Sequence, residues 1–167
     1  MKYLILITSM IIFSFYANCE DILCLNCHKD KKADFTESVH FKAGINCTAC
    51  HGGNSKKDKL EDAHGTDDFI GKPSRKEIPQ LCANCHSDEK KMRQYGLPTD
   101  QFDKYKTSTH GKKLYKDNDT KVAVCIDCHT SHRILKKKDP SSSVFVKNIP
   151  ATCGKCHSDE KLMSSYK

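Results

Sequence analysis

The hydrophobic residues of this chain are concentrated in one run, from Tyr3 to Tyr16, and the remaining sequence is polar with short apolar stretches. No segment shows the apolar–polar alternation that is typical of a half-buried strand. Ser87–Glu89, ahead of a segment that stops at Gly96, predicts a short capped helix. Ser158–Glu160 predicts an equivalent helix that runs to the C-terminus. We therefore expect a mainly α fold with little regular secondary structure, built from short helices and loops.

The apolar run has the features of a secretory signal peptide. It follows Met1-Lys2, ends at the small-residue site Ala17-Asn18-Cys19, and is shorter than the roughly 20 residues that span a bilayer. We predict that residues 1–19 are cleaved and that residues 20–167 are exported to the periplasm or the cell surface. After cleavage, no transmembrane span is expected. An uncleaved anchor and lipidation at Cys19 are the alternatives.

The composition is too poor in apolar residues for a large conventional core. Hydrophobic residues make up 37% of the 167 positions, charged residues make up 29%, and there is no Trp. Average domains carry about 45–50% apolar residues. The 11 cysteines and 9 histidines indicate either a disulfide framework or bound metal and cofactor. These numbers exclude a conventional two-layer enzyme domain and suggest that a cofactor fills the interior.

The formal net charge is +7, and the lysines occur in small clusters such as Lys136–Lys138. Such clusters are typical of a solvated face. Nucleic acid is not an expected partner, because the chain is predicted to be exported and has no basic motif interleaved with aromatic residues. Electrostatic steering of an acidic partner stays open.

Ten of the cysteines form five C-x-x-C-H motifs, numbered one to five in chain order. Their cysteines and histidines are Cys24, Cys27 and His28; Cys47, Cys50 and His51; Cys82, Cys85 and His86; Cys125, Cys128 and His129; and Cys153, Cys156 and His157. C-x-x-C-H is the attachment site of a c-type haem. The two thiols reach the vinyl groups on one porphyrin edge, and the histidine that follows becomes the proximal iron ligand.

Other uses of paired cysteines do not require a histidine after each pair. A zinc ribbon, a secreted disulfide framework and a thioredoxin-like site place no constraint on that position. Five chance matches in five motifs have a probability on the order of one in a million. The sequence therefore predicts five covalently bound haems c, each with an iron.

The five motifs and the segments between them resemble the multihaem c-type cytochromes, which include the class III tetrahaem proteins and longer arrays. The resemblance covers nearly all of the mature chain, from Cys24 to about Tyr166. It implies a multihaem cytochrome c fold, with short helices and loops wrapped around a chain of haems. It also implies an electron carrier whose partners are other redox proteins, with two histidine ligands on most irons.

The sequence also contains an internal repeat of two motifs. Motifs two and four are each preceded by Ser-x-His and followed by one more free histidine. We predict a single domain over residues 20–167, with repeat units at about 24–81 and 82–152 closed by motif five. The repeat assigns all four free histidines as distal iron ligands: His40, His64, His110 and His132. His132 follows His129 too closely to serve the same haem, so we expect it to bind a neighbouring one.

Four distal histidines leave one of five irons without a partner. The repeat places that iron at an end of the array, in motif one or motif five. Met92 and Met163 occupy equivalent places near motifs three and five, and a methionine ligand is one option. The other options are an open or water-bound iron, a lysine, or a ligand from a partner molecule.

The leading functional hypothesis is an electron-transfer protein with no catalytic residues of its own. The alternative is an enzyme that reduces or oxidises a small molecule at the haem lacking a distal histidine. A third interpretation is a haem-bearing subunit of a larger redox complex or filament.

Overall fold

The computed structural model describes residues 22–166, which form twelve short α-helices and one 3-10 helix and contain no strand. About half of these residues are helical. In chain order, α1 to α12 are Cys24–Cys27, Lys32–Glu37, Val39–Lys42, Thr48–His51, Leu60–His64, Ile78–His86, Glu89–Arg93, Gln101–Thr107, Thr109–Lys116, Cys125–His129, Ile149–His157 and Glu160–Ser164, and the 3-10 helix is Lys29–Lys31. The predicted mainly α architecture of short helices is confirmed.

The predicted signal peptide, residues 1–19, lies outside the described residues. None of the twelve helices of residues 22–166 is long and apolar enough to span a bilayer. The longest, α6 and α11, have nine residues each.

Side-chain caps define where several of these short helices begin. Asp88 caps α7 by accepting hydrogen bonds from the Lys90 and Lys91 N–H groups, and Asp159 caps α12 in the same way through Leu162 N–H. The sequence predicts both helices, but in the structure each cap lies one residue later than predicted and each helix is shorter. They end at Arg93 and Ser164. The N–H groups that follow donate to carbonyls three residues back, not four, so the α-helix does not continue.

The two long helices, α6 and α11, have the same design. Each has a proline in its first turn, where the missing proline N–H costs no intrahelical hydrogen bond. Each ends at the histidine of a C-x-x-C-H motif. The matching lengths and caps in the two halves support the repeat over 24–81 and 82–152, which stays a prediction.

The buried apolar core is small. Its main cluster consists of Ile78, Leu114, Val122 and Val124, with Leu114 fully buried. The partly buried residues packed around it include Cys82 and Cys125. The cluster therefore lies beside motifs three and four and holds α6 and α9 against the segment that leads into motif four.

Replacing Leu114 with alanine should strongly destabilise the protein, because the cavity would form in the centre of this small cluster. We expect the free energy of unfolding to fall by about 2–5 kcal/mol. Chemical denaturation of the haem-loaded protein measures it. The control is Leu97→Ala, at a leucine that is 46% exposed, and its effect should be below about 1 kcal/mol. Equal effects of the two substitutions would contradict the assignment of this core.

Candidate functional site

Each C-x-x-C-H motif lies within one turn of helix. Motif one occupies α1 with its histidine directly after it, motif two occupies α4 with Cys47 at the N-cap, and motif four occupies α10. Motifs three and five form the C-terminal turns of α6 and α11. Helix positions i, i+3 and i+4 share one face, so the two thiols and the imidazole of a motif lie on the same side. None of the ten cysteines within residues 22–166 forms a disulfide.

Four of the five motif histidines face a histidine from another part of the chain. The distances between ring centroids all fall between 6.0 and 6.3 Å. The facing pairs are His28 and His64, His40 and His86, His51 and His132, and His110 and His157. Each of the four free histidines is therefore used once, and each pair joins distant segments.

The separation of the paired rings fits a metal ion bound between them. An imidazole nitrogen binds a transition metal at about 2.0 Å and its ring centre lies about 1.1 Å further, so two axial imidazoles place their centroids about 6.2 Å apart. A structural zinc ion needs four protein ligands. Across residues 22–166, no group of three or more His, Cys, Asp or Glu could hold a metal ion. Two axial histidines with two nearby thiols match haem c better than zinc.

The serine of each Ser-x-His segment positions the histidine that follows. Ser38, which is 1% exposed, caps α3 by accepting hydrogen bonds from the N–H groups of His40 and Phe41. Ser108 caps α9 through Gly111 N–H. Both histidines therefore stand at the second position of a capped helix, where the local backbone is fixed.

The other two free histidines are held by tertiary contacts. The His64 ring stacks on Phe69 with centroids 4.3 Å apart. His132 lies in the loop after α10, and that loop is tied to the α2–α3 segment, which is distant in sequence. Arg133 donates to the Glu37 carboxylate at 2.5 Å, and Val39 N–H donates to the Ile134 carbonyl at 2.8 Å.

A hydrogen bond orients one of these imidazoles, and burial favours the neutral form of two others. His51 Nδ1 lies 2.6 Å from the Gly71 carbonyl oxygen, which accepts its proton and leaves Nε2 as the free lone pair. Burial lowers the pKa of His40 and of His86, which favours the neutral ring. A neutral imidazole is the ligating species.

Thiols of successive motifs lie close enough to interact electrostatically. The neighbouring pairs are Cys24 and Cys47, Cys50 and Cys85, Cys82 and Cys125, and Cys128 and Cys153. Each motif therefore adjoins the next one in the sequence. These contacts link the five motifs in chain order.

Motif four is fixed by polar contacts on both sides. The Arg75 guanidinium donates to both carboxylate oxygens of Asp127, at 2.5 and 3.3 Å, and also to the carbonyl of Val122. Asp127 further accepts from Val124 N–H at 2.7 Å. On the other side, Ser143 donates its hydroxyl to the Cys128 carbonyl.

A buried hydroxyl beside motif four also fits a cofactor. Tyr115 and Cys125 both pack against the apolar cluster, and the Tyr115 hydroxyl is buried with no hydrogen-bond partner within residues 22–166. The neighbouring Tyr105 hydroxyl, by contrast, donates to the Ala123 carbonyl at 3.0 Å. An unpaired buried hydroxyl is costly, so Tyr115 has a free hydrogen-bonding group to offer to a cofactor bound beside motif four.

The expectation that the unpartnered histidine belongs to an end motif is wrong. Both end histidines, His28 and His157, have a facing ring. The unpartnered one is His129 of motif four. The error arises because the free histidines face motifs other than those nearest to them in sequence. The repeat therefore did not predict which histidine rings face each other.

Three supporting features are not predicted from the sequence. The Ser-x-His pattern is visible there, but its role as a helix cap is not. Neither the support of His64 by Phe69 nor the pairing of Arg75 with Asp127 is predicted. Only the caps had a local signal, a serine two residues before a histidine.

Comparisons with known proteins agree with this geometry. The family model for the doubled CXXCH motif matches residues 40–91 and 115–162. Multiheme cytochrome MtrA of Shewanella baltica is 31% identical over 160 residues, covering 84% of this chain and 46% of MtrA. Cytochrome c-type protein NrfB of Escherichia coli O6:H1 is 26% identical over 152 residues, covering 78% of this chain and 76% of NrfB. The chain thus spans less than half of MtrA. No solved structure matches it.

Asp127→Asn should weaken the anchoring of motif four, because Arg75 would lose its charged two-point partner. We expect a loss of about 1–3 kcal/mol in the free energy of unfolding, measured by denaturant titration of the haem-loaded protein. Asp103→Asn is the matched control, since that carboxylate is exposed and pairs only with Lys106. It should change stability by less than about 0.5 kcal/mol. A silent Asp127→Asn would show that this ion pair does not hold the motif.

Proposed function

Because the chain belongs to the doubled CXXCH motif family and is a multihaem c-type cytochrome, we propose that it carries five haems c and relays electrons between redox proteins outside the cytoplasm. The observation that carries this proposal is the set of four facing histidine pairs, one at each of four motifs. Haem c, when bound, supplies reversible one-electron chemistry at its iron. The chain contributes attachment, axial ligands and the order of the sites.

The residues that would hold the haems follow from the site geometry. The two cysteines of each motif would form the thioether links, and the motif histidine would be the proximal ligand. The distal ligands would be His64 for motif one, His132 for motif two, His40 for motif three and His110 for motif five. His129 would be the proximal ligand of motif four.

The arrangement supports relay rather than catalysis at most sites. A catalytic metal needs an open coordination position, and a facing histidine would fill that position at four motifs. The neighbouring thiols of successive motifs support closely spaced sites that are linked in chain order. Such an arrangement suits electron transfer from one site to the next.

The proposal requires five covalently attached haems per chain. We expect the mass of the exported protein to show five, and peptide mapping to find one at each motif. Cys82→Ser with Cys85→Ser should remove one haem, because both thioether links of motif three are lost. Cys19→Ser is the control, since Cys19 lies outside every motif, and it should leave the number unchanged. Four or fewer haems in the unsubstituted protein would contradict the proposal.

His110→Ala should convert one haem from low-spin to high-spin, because the axial partner of His157 would be missing. Electron paramagnetic resonance of the oxidised protein measures the change. Added imidazole should restore the low-spin signal by filling the vacated position.

Lys112→Ala is the matched control for this substitution, because it changes an exposed side chain of the same helix, α9. It should leave all signals unchanged. A His110→Ala protein with the spectrum of the unsubstituted protein would show that His110 is not a distal ligand.

A further inference from the structure

His51, the histidine of motif two, differs from the other motif histidines in its bond to a backbone carbonyl. Its Nδ1 lies 2.6 Å from the carbonyl oxygen of Gly71. A carbonyl oxygen can only accept, so the Nδ1 proton lies in this hydrogen bond and Nε2 is left to bind a metal. Within residues 22–166, the rings of the other four motif histidines donate to no carbonyl. Motif two is therefore distinct from the other sites that have two facing imidazoles.

The segment that ends at Gly71 is fixed against the end of α4, the helix that carries His51. Ile70 N–H donates to the backbone carbonyl of His51 at 2.9 Å. A Cβ built at Gly52 would lie 1.9 Å from the Asp68 carbonyl oxygen, so only a glycine permits this close approach of the two backbones. The Gly71 carbonyl thus has a defined position beside the imidazole ring of motif two.

Gly71 itself provides a left-handed backbone and does not fill a tight space. Its φ angle is +59°. A Cβ built at this position would only make ordinary contact, with the Phe69 ring 3.8 Å away. A β-branched residue rarely adopts a positive φ, whereas asparagine is enriched in this conformation. The direction of the carbonyl can therefore be changed through the residue type at position 71 without a steric clash.

Motif four has the same backbone turn as motif two but lacks this hydrogen bond. Helices α4 and α10 both end at the motif histidine, and the next residue has a φ angle of +67° at Gly52 and +66° at Thr130. The Thr130 hydroxyl donates to the Arg133 carbonyl at 2.6 Å, and no carbonyl among the described residues accepts from the His129 ring. The hydrogen bond of motif two therefore depends on the segment that follows it, and the C-x-x-C-H turn alone does not produce it.

We propose that Gly71 is a positioning residue that lowers the reduction potential of the motif-two haem. An axial imidazole that donates its second ring N–H to an acceptor becomes a more basic ligand. A more basic ligand favours the ferric over the ferrous state, and hydrogen bonding of this kind is one of the means by which a protein sets a haem potential. This inference rests on the proposed function, because motif two must carry a haem whose axial ligands are His51 and His132.

The place of motif two in chain order gives this lowered potential a role. Its thiols adjoin those of motif one, through Cys47 and Cys24, and those of motif three, through Cys50 and Cys85. Motif two therefore lies between motif one and the remaining sites. A lower potential at this position raises the free energy of placing an electron there. The Gly71 carbonyl would thus control how readily electrons pass to and from motif one.

The test compares two substitutions at Gly71 in the haem-loaded protein. Gly71→Val disfavours the left-handed backbone, so the carbonyl should turn away from His51. A redox titration followed by visible spectra should then show one of the five components shifted to a higher potential. Gly71→Asn can keep the left-handed backbone and should leave all components at their original potentials. Equal shifts in the two variants, or no shift in Gly71→Val, would overturn the inference.

Gly96→Val is the matched control for the backbone strain. Gly96 has a φ angle of +60°, and a Cβ built there would have no atom within 4 Å. It lies in the turn after α7 and forms no hydrogen bond with a histidine. All five potentials should stay unchanged in this variant. A shift as large as that of Gly71→Val would show that strain is the cause, and would overturn the inference.

His132→Ala identifies the component that belongs to motif two, because it removes the ring that faces His51. One haem should become high-spin by electron paramagnetic resonance, and its component is the one that Gly71→Val should shift. A shift confined to another component would overturn the inference. If Gly71→Val binds fewer than five haems, Gly71→Ala replaces it. Alanine also disfavours this φ angle, so a smaller upward shift is expected.

Two further measurements separate a failure of this inference from a failure of the proposed function. Motif two without haem in peptide mapping of the unsubstituted protein would contradict both. A His132→Ala protein in which every haem keeps its spin state would also contradict both, because the axial pair of motif two would be wrong. If the haem and the axial pair are present and Gly71→Val leaves all potentials unchanged, this inference alone fails.

Discussion

The spacing of about 6 Å between facing imidazoles is the constraint on which the rest of this structure depends. A helical turn can place two thiols and one imidazole on one face, but it cannot place a second imidazole opposite the first. That ring must come from another segment. The four pairs, at 6.0 to 6.3 Å, therefore fix which segments meet. With so few buried apolar residues, the path of the chain follows these pairs more than a hydrophobic core.

Local features of this fold could be predicted from the sequence, and tertiary pairings could not. Capping residues and the lack of strand alternation were sufficient for short helices such as α7 and α12, with errors only at their ends. The sequence did not predict which histidines face each other, because His40 and His132 face motifs other than the nearest one. The same skipping explains why the unpartnered motif was expected at an end but lies at His129. Thr130 shows a further limit, because nothing in its residue type predicts a left-handed backbone.

The two matches to the doubled CXXCH motif can be compared with the histidine pairs. The matches cover motifs two and three and motifs four and five. His40 faces His86 within the first match, whereas His110, which faces His157, lies just before the second match begins. His132 lies in the second match but faces His51 in the first. The facing pairs therefore include one within a doubled motif and one that joins the two doubled motifs.

The long reach of His132 also has a consequence for folding kinetics. Each facing pair closes a loop, of about 45 residues for His40 with His86 and about 80 for His51 with His132; the longer closure costs about 0.5 kcal/mol more. Once joined through a metal, each pair acts as a cross-link that restricts the unfolded chain, as a disulfide does. The other three pairs close loops of fewer than 50 residues. Motif two has the longest loop of the four, so in a complete chain it should be the slowest of the paired sites to assemble.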